Sequence, residues 1–309
     1  MKVFTYQEDI YGIEGACVAL GNFDGIHIGH QALIKECVRI AKEKGLSAVV
    51  FTFMDHPMNV IAGKTVVKSI QTFEEKAQVA EKLGADYLVA LRFTPEIMNM
   101  SPDSFVREFL VGSLKCREAV CGFNYSYGYK AQGNPESLRL AGEEYGFGVN
   151  VIDAVTVNGE TVSSTKIRGF LAEGRIEDYK AFTGREYTIT GNVVKGLHNG
   201  TRMGFPTVNL NLSEEMALPA NGVYFTETEI AGRVYDSITN VGNKPTVGEF
   251  SKNAETYIFG YDADAYGKRL KIRFLKMHRP EYKFKDMDEL SAQIAKDCAA
   301  AGDYFGGLK

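Results

Sequence analysis

Cysteine is scarce in this sequence and never paired. The five cysteines, Cys17, Cys37, Cys116, Cys121 and Cys298, are odd in number and form no CxxC. Neither a disulfide framework nor a zinc site is expected from such a set. Cys17, Cys37 and Cys121 fall within apolar patterns and read as small core residues. Met1 to Tyr11 lacks the apolar centre of a signal peptide. No apolar run approaches the roughly 20 residues that span a bilayer. The expectation is a chain in a reducing cytoplasm with no membrane partner. Surplus positive charge is missing too. Lys and Arg total 35 against 39 Asp and Glu, a formal net charge of -4. Nothing in this balance argues for general affinity for nucleic acid, and any basic site must be local. There is no low-complexity tract and no internal repeat, and no segment argues for an oligomer. A length of 309 residues suggests two domains. With 45% hydrophobic and 24% charged residues, the composition is ordinary for a soluble globular protein.

The most informative stretch is Gly21-Asn22-Phe23-Asp24-Gly25-Ile26-His27-Ile28-Gly29-His30. A short apolar run, Ala16 to Leu20, precedes it and reads as a buried strand. A helical pattern follows, with Leu33, Ile34, Cys37, Val38 and Ala41 on one face. Glycines and histidines thus stand where a strand turns into a helix, which is where ligands bind in an open α/β sheet. A helix N-terminus there offers backbone N–H groups and a positive dipole end to phosphate. Gly21, Gly25 and Gly29 permit close backbone approach. His27 and His30 are spaced to donate to one phosphate.

Strand and helix patterns alternate through the first half. Strands are expected at Ser47–Phe53, Ala85–Leu91, Ala119–Gly122 and Val149–Val155. Thr72 to Glu75 fits a capping box before a helix running through Leu83. Ser101-Pro102 and Asn134-Pro135 open two further helices. This alternation implies right-handed crossovers and a mostly parallel sheet. Two more segments lie beyond strand ends, on the ligand side. Thr52-Phe53-Met54-Asp55-His56-Pro57 places His56 near the crevice, as ligand or as plain loop residue. Gly122-Phe123-Asn124-Tyr125-Ser126-Tyr127-Gly128 carries aromatics that either stack on a flat ring or fill a loop core. Ser163-Ser164-Thr165-Lys166-Ile167-Arg168 sets hydroxyls and two cations at a helix start, a phosphate cradle or a simple cap. Short helices are expected at Ile167–Leu171 and Ile176–Phe182.

From about Arg185 the texture changes to strands and glycine turns. Strands are expected at Tyr187–Val194, Thr207–Leu212, Gly222–Ile230, Arg233–Val241, Thr256–Gly260 and Leu270–Leu275. Such a series suggests a small antiparallel barrel. A last helix, Asp286 to Ala301, begins with a capping-box pair at Asp286 and Glu289. No Walker sequence occurs. Instead Gly196, Gly200 and Gly204 are spaced to wrap backbone amides around phosphates, with Arg202 adding charge. Pro206 leads into Thr207 and Asn209, which alternate on a strand start and share one face. A hydroxyl and an amide oxygen are hard ligands suited to magnesium. Glu255 opens a strand after a loop containing Asn243-Lys244-Pro245-Thr246. Read alone, it is one glutamate among many.

These segments carry a resemblance. His27-Ile28-Gly29-His30 resembles the HxGH signature that nucleotidyltransferases share with class I aminoacyl-tRNA synthetases. The longer GNFDGIHIGH, the 163–168 segment and the 196–209 segment together resemble the bacterial bifunctional riboflavin kinase/FMN adenylyltransferases, in order and along nearly the whole chain. The resemblance implies a doubly wound, Rossmann-like nucleotidyltransferase domain over residues 1–183. Residues 184–309 would be a six-stranded antiparallel riboflavin kinase barrel with a terminal helix. It implies phosphorylation of riboflavin to FMN and adenylylation of FMN to FAD, with ATP as co-substrate, Mg2+ as cofactor and pyrophosphate released. His27, His30 and Arg168 would stabilise phosphates in adenylyl transfer, and Glu255 would be the kinase base. Gly21, Asn22, Phe23, Asp24, Gly29, Ser164, Thr165 and Lys166 would bind ATP in the first domain. Gly196, Gly200, Arg202, Gly204 and Pro206 would bind it in the second. Thr207 and Asn209 would hold the metal. His56, Asn124, Tyr125, Tyr127, Arg279 and Glu281 would contact flavin.

The sequence departs from the family pattern at Asp55, where proline is expected, and at Lys166, where arginine is usual. It departs also at Phe123, Asn124 and Ala131, where acidic residues and an arginine are usual. The last three keep a second reading open: an active kinase whose first domain is a weak or inactive adenylyltransferase, serving as a flavin-binding or scaffolding module. A tRNA-charging or tRNA-modifying enzyme built on the histidine signature would need a KMSKS-like loop and a basic RNA-binding surface. The sequence has neither.

Overall fold

The computed structural model describes residues 1–194, 204–246 and 249–307. The chain divides into two compact units, Met1–Ser164 and Thr165–Lys309. The first unit contains β1 (Lys2–Phe4), β2 (Ala16–Leu20), α1 (Ile28–Lys44), β3 (Ser47–Phe53), α2 (Pro57–Ala62), α3 (Phe73–Lys82), β4 (Tyr87–Leu91), α4 (Pro95–Met98), α5 (Pro102–Phe105), β5 (Cys116–Gly122), α6 (Pro135–Tyr145) and β6 (Gly148–Ile152). A small hairpin, β7 (Thr156–Val157) and β8 (Glu160–Thr161), follows. The sheet order is β1-β4-β3-β2-β5-β6, and every pairing in it is parallel.

The sequence reasons for this sheet are visible in β2. Its residues ACVAL are buried throughout, as expected of a central parallel strand covered on both faces. Ala16, Val18 and Leu20 face one core, with Phe51, Phe105 and Phe109. Cys17 and Ala19 face the other, with Ile34, Val50 and Leu88. Helix α1 buries all five residues of the expected face and Ile40 besides. The capping box forms as expected: Glu75 N–H donates to Thr72 Oγ1 at 3.2 Å and Thr72 N–H to Glu75 Oε2 at 3.0 Å. Ser101 and Asn134 likewise cap α5 and α6. Past α5 the chain continues as wider π-helical turns, Val106–Ser113, burying Val106, Phe109 and Leu110.

The second unit contains α7 (Ser164–Glu173, from the last residue of the first unit), α8 (Ile176–Thr183), β9 (Tyr187–Val194), β10 (Thr207–Asn211), β11 (Gly222–Ile230), β12 (Arg233–Thr246), β13 (Glu249–Ile258), β14 (Arg269–Pro280) and α9 (Met287–Gly306). Strands β10-β13-β12-β11-β14-β9 close into an antiparallel barrel. Four expectations need correction. The segment Asn243 to Thr246 is the end of β12 and not a loop, pairing with Glu249 to Lys252. Glu255 therefore lies inside β13 instead of opening it. Apolar alternation fades there, so periodicity alone ends the strands too soon. Glu289 does not complete a capping box. It accepts from Lys285 N–H at 2.7 Å, while Asp286 accepts from Glu289 N–H at 2.9 Å. Helix α9 also runs on past Ala301, because Ala301 and Phe305 still bury against Val223, Phe225 and Ile238 on the barrel's outer face.

The barrel interior is unusual in being threaded by hydroxyls. Thr226, Thr228, Ser237, Thr239 and Thr256 are all fully buried. Ser237 O–H donates to the Thr226 carbonyl at 3.0 Å, which uses its one proton. Its 2.8 Å contacts with Thr226 and Thr228 hydroxyls must then be donated by the threonines. Thr239 accordingly donates to Thr226 at 2.8 Å, and Thr256 to Thr239 at 2.9 Å. The chain of donors is one-way. Thr226→Val removes a donor from Ser237 and an acceptor from Thr239. It is expected to lower unfolding free energy by about 2 kcal/mol, read from the denaturant midpoint, with the chain-end Thr228→Val costing about half as much.

Candidate active sites

The first candidate site sits where the sheet order reverses. Strand β2 lies between β3 and β5, and the chain winds outward on both sides, leaving a crevice beyond the carboxyl ends of β2 and β5. The loop leaving β2 is backbone-strained. Phe23 has φ 48°, Gly25 φ 77° and Ile26 φ 26°, and the two side chains are buried at 0% exposure. A β-branched residue at positive φ is held there by its surroundings, a pattern typical of functional turns. Here the surroundings are side-chain donors. The Asn22 carbonyl accepts from Thr52 Oγ1 at 2.9 Å and Lys76 Nζ at 2.9 Å. The Phe23 carbonyl accepts from Gln71 at 3.1 Å, the Asp24 carbonyl from Ser164 at 2.8 Å and the Ile26 carbonyl from Gln31 at 3.0 Å. Asp24 Oδ1 in turn accepts from Ile70 N–H at 2.9 Å. In a planar trans peptide the N–H points opposite to its carbonyl. With the carbonyls of residues 22–24 bound to the scaffold, the following amides are aimed the other way.

His27 is the N-cap of α1 and is only 7% exposed. Its Nδ1 accepts from His30 N–H at 3.1 Å, so a neutral ring carries its proton on Nε2. The His27 and His30 rings stack, with centroids 3.6 Å apart and planes 13° from parallel. Phe23 touches His30 edge-on at 5.2 Å. Gly29 makes room for the stack: a Cβ there would lie 3.2 Å from His27 Nδ1. Phe23 is thus a core side chain, and its place among expected phosphate ligands would rest on its backbone alone.

The neighbouring segments divide their roles. His56 caps α2, its Nδ1 accepting from Met58 N–H at 3.3 Å. Tyr127 is a core residue and not an exposed ring. Its hydroxyl lies 3.2 Å from Ser137 Oγ, and its ring packs on Phe105 and Tyr125. Burial pushes the Tyr125 phenol well above its ordinary range. Phe123, 50% exposed, is the aromatic this loop offers to a ligand, beside the exposed Asn124. Ser164 begins α7, with Thr165, Lys166 and Arg168 in its first turns. Lys166 Nζ stands 5.9 Å from the Phe182 ring centre.

The second candidate site lies on the outer face of the barrel. Gly196, Gly200 and Arg202 fall outside the described residues. Gly204 has φ 83°, a conformation suited to glycine, ahead of Pro206. Strand β10 then brings Thr207 and Asn209 onto one face. Glu255 on β13 is the direct cross-strand partner of Asn209. Asn253 ties them together: its Nδ2 donates to Asn209 Oδ1 at 3.2 Å and to Glu255 Oε1 at 3.1 Å. Asn253 Oδ1 is buried and has no hydrogen-bond partner among the described residues. Oxygen donors from Thr207, Asn209 and Asn253, with one carboxylate, fit a hard divalent cation.

Two cavities meet here. One, of about 340 Å³, lies between the barrel face and the terminal helix, with Val223, Ile238, Tyr257 and Glu255 on one side and Phe284 and Ile294 on the other. The second, of about 280 Å³, is lined by Pro206, Val208, Tyr261, Asp262 and Tyr266. Thr207 lines both. Arg279 and Glu281 border the larger cavity. Arg279 is gripped by Asp297, 3% exposed, with Nε 3.0 Å from Oδ1 and a terminal nitrogen 2.6 Å from Oδ2. Glu281 accepts from Asn221 at 3.0 Å. Cys298 also borders the cavity, and burial pushes its thiol up to about 11.

Lys76, Gln71, Asn253 and Asp297 escaped the reading of the sequence. Asn253 shares the face of Glu255 by strand alternation, a signal that was there to be used. Lys76 shares the buried face of α3 with Ala80, where a lysine is out of pattern.

Comparison with known proteins agrees with both halves. A family model described as FAD synthetase matches residues 11–166, and one described as riboflavin kinase matches residues 183–305. Relatives named bifunctional riboflavin kinase/FMN adenylyltransferase include one from Listeria monocytogenes, 35% identical, covering 94% of this chain and 93% of its own. One from Bacillus subtilis is 35% identical with the same coverage, and one from Escherichia coli is 30% identical, covering 96% of this chain and 95% of its own. A solved structure from Streptococcus pneumoniae, described as a macrolide-efflux protein, matches with a TM-score of 0.88 at 27% identity over 97% of both chains. Among the described residues no helix is long and apolar enough to cross a membrane. With a family model on each half and bifunctional relatives aligned along nearly all of it, the chain belongs to the bifunctional riboflavin kinase/FMN adenylyltransferase family.

Proposed function

We propose that this chain phosphorylates riboflavin to FMN on its second unit and adenylylates FMN to FAD on its first. The observation that carries the kinase half is the Thr207–Asn209–Glu255 face at the meeting of two cavities. The larger, mostly apolar cavity suits a flavin ring, and the smaller suits the nucleotide. Glu255 accepts the proton of the ribityl 5′-hydroxyl as its oxygen bonds to the γ-phosphorus, and the bond to ADP breaks. Asn253 holds Oε1, which orients the carboxylate. Thr207 and Asn209 would hold Mg2+, which when bound neutralises charge on the phosphates. Gly204 and Pro206 belong to the nucleotide side of this site, with Gly196, Gly200 and Arg202 assigned there from sequence. Arg279 and Glu281 border the flavin cavity.

In the first unit the nucleophile is a phosphate oxygen of FMN, already anionic, so no base is needed. It bonds to the α-phosphorus of ATP and pyrophosphate departs. The chain's task is alignment and charge stabilisation. The amides after Asn22 and the His27 Nε2–H donate to phosphate and His30 stacks beside them; Ser164, Thr165, Lys166 and Arg168 are assigned to the second signature from sequence. Asn124, Tyr125, Tyr127 and His56 frame the flavin side, Tyr127 through packing. This reading makes residues 1–183 and 184–309 the two working domains, with riboflavin, FMN and ATP as partners, no nucleic acid, and the cytoplasm as the place of action. The reading of the first half as an inactive module is not favoured, since its relatives are named for both activities.

The test is direct. Incubate the protein with riboflavin, ATP and magnesium and separate the flavins over time by chromatography. FMN followed by FAD is expected. FMN alone would reduce the first unit to a binding role, and no phosphorylated flavin from folded protein would overturn the reading.

A further inference from the structure

Lys76 is a buried lysine, 8% exposed, with no carboxylate in hydrogen-bond contact among the described residues. It rises from α3 beneath the strained loop. Its ammonium reaches the Asn22 carbonyl at 2.9 Å, the Phe53 carbonyl at 3.4 Å and Thr52 Oγ1 at 3.5 Å. It thereby joins the loop leaving β2 to the carboxyl end of β3. Thr52, Gln71, Gln31 and Ser164 also hold carbonyls of the loop, with neutral donors. A neutral donor would fasten a carbonyl as well. A buried cation at that place does something more, because burying it is costly without compensating charge.

We infer that Lys76 is a positioning residue of the adenylyl-transfer site: its ammonium turns the Asn22–Asp24 peptides so that their amides face the ATP phosphates, and it backs those amides with a fixed positive charge. The inference rests on the proposed adenylyltransferase. Lys76 need not touch the nucleotide. It acts through the Asn22 peptide, and its charge adds to that of the α1 N-terminus, where His27 and His30 begin the helix. Asp24 on the loop is the charged group that acts on it. Strand β3 presents Thr52 and Phe53, and the loop presents Asn22, all as uncharged oxygens.

Burial pushes the Lys76 ammonium down to about 8, with Asp24 opposing the shift. Two opposite pH trends follow. As pH rises through 8 the folded lysine loses its charge, and ATP binding at this site weakens. Over the same range an unfolded lysine, with an ordinary value of 10.5, still holds its proton. The unfolded state then binds more protons, so this group's effect on stability becomes more favourable from pH 8 to 10.5. The penalty of burying the charge is fully present below pH 8.

The experiment uses full-length wild type and Lys76→Met. On one sample of each, FAD formation from FMN and ATP and FMN formation from riboflavin and ATP are measured. Lys76→Met is expected to raise the KM for ATP in FAD formation about 30-fold, as for loss of a charge-assisted bond. The KM for FMN and the kinase constants should not change. In wild type the KM for ATP in FAD formation climbs above pH 8, and in Lys76→Met that climb is absent. A variant with the wild-type KM for ATP and the wild-type pH profile overturns the inference. Wild type that makes FMN but no FAD overturns the underlying reading instead. Should Lys76→Met fail to fold, the wild-type profile decides: a KM for ATP that is flat from pH 7 to 9.5 overturns the inference, and a climb above 8 upholds it.

Discussion

Glu255→Gln is expected to slow FMN formation by about 10²–10⁴-fold, the usual worth of a positioned base. FAD formation from supplied FMN should continue at the wild-type rate. The substitution keeps the shape of the side chain and its place opposite Asn209. It keeps an oxygen to accept from Asn253 Nδ2 at the present 3.1 Å. What it removes is the ability to take a proton from the attacking hydroxyl. The effect should therefore appear in kcat, with the KM for riboflavin little altered. Asn253→Ala is the companion variant. It leaves Glu255 charged but free to turn, and a smaller loss in kcat is expected. A Glu255→Gln enzyme with wild-type kcat would show that Glu255 is not the base and that the Asn209 pairing is architectural.

His27→Asn should lower FAD formation by about 10²–10³-fold, the cost of one donor lost from a charge-stabilising set. The choice of asparagine separates two roles that alanine would confuse. His27 caps α1 through Nδ1, and asparagine is among the best N-cap residues. The helix start is kept while the Nε2–H donor is lost. His27→Ala removes both, and should add about 1 kcal/mol of destabilisation to the same loss of rate. Were His27→Asn to make FAD at the wild-type rate while His27→Ala merely melted earlier, the histidine would be a cap and nothing more. The riboflavin kinase rate of the same sample serves as the internal standard.

Much of the fold could be read from the sequence because it is written in short-range periods. Ala16–Leu20, Ser47–Phe53, Tyr187–Val194 and Gly222–Ile230 announce themselves as strands by uninterrupted or alternating apolar residues, and the structure has them at those limits. The errors occur where burial stops informing the pattern. Asn243 to Thr246, with no apolar alternation in their sequence, continue β12 by pairing with β13. Glu289 reaches one residue further back than a capping box requires, to Lys285. In the candidate sites, residues on a signature were legible, while those that hold them were not. Lys76 is 54 positions from the Asn22 carbonyl it binds, and Asp297 is 18 from Arg279. Such pairings depend on topology, which no local window contains. The aromatic loop taught the opposite lesson. Tyr127 looked available because it lies in a polar glycine-rich segment, yet Phe105 and Ser137 enclose it.

The order of strands in the barrel also sets a timetable for synthesis. Strand β9 is the first made, yet its partners are β10 and β14, and β14 ends at Pro280. The ring has no way to close until almost the whole chain has left the ribosome. Thr207 and Asn209 on β10 wait for β13 to bring them Glu255, and the helix roofing the cavity comes last of all. The parallel sheet has its final strand by Ile152. A nascent chain thus completes its nucleotidyltransferase core before the kinase barrel has the strands it needs to close. A ribosome halted before Glu249 would release the candidate metal ligands of the kinase without the glutamate meant to work beside them.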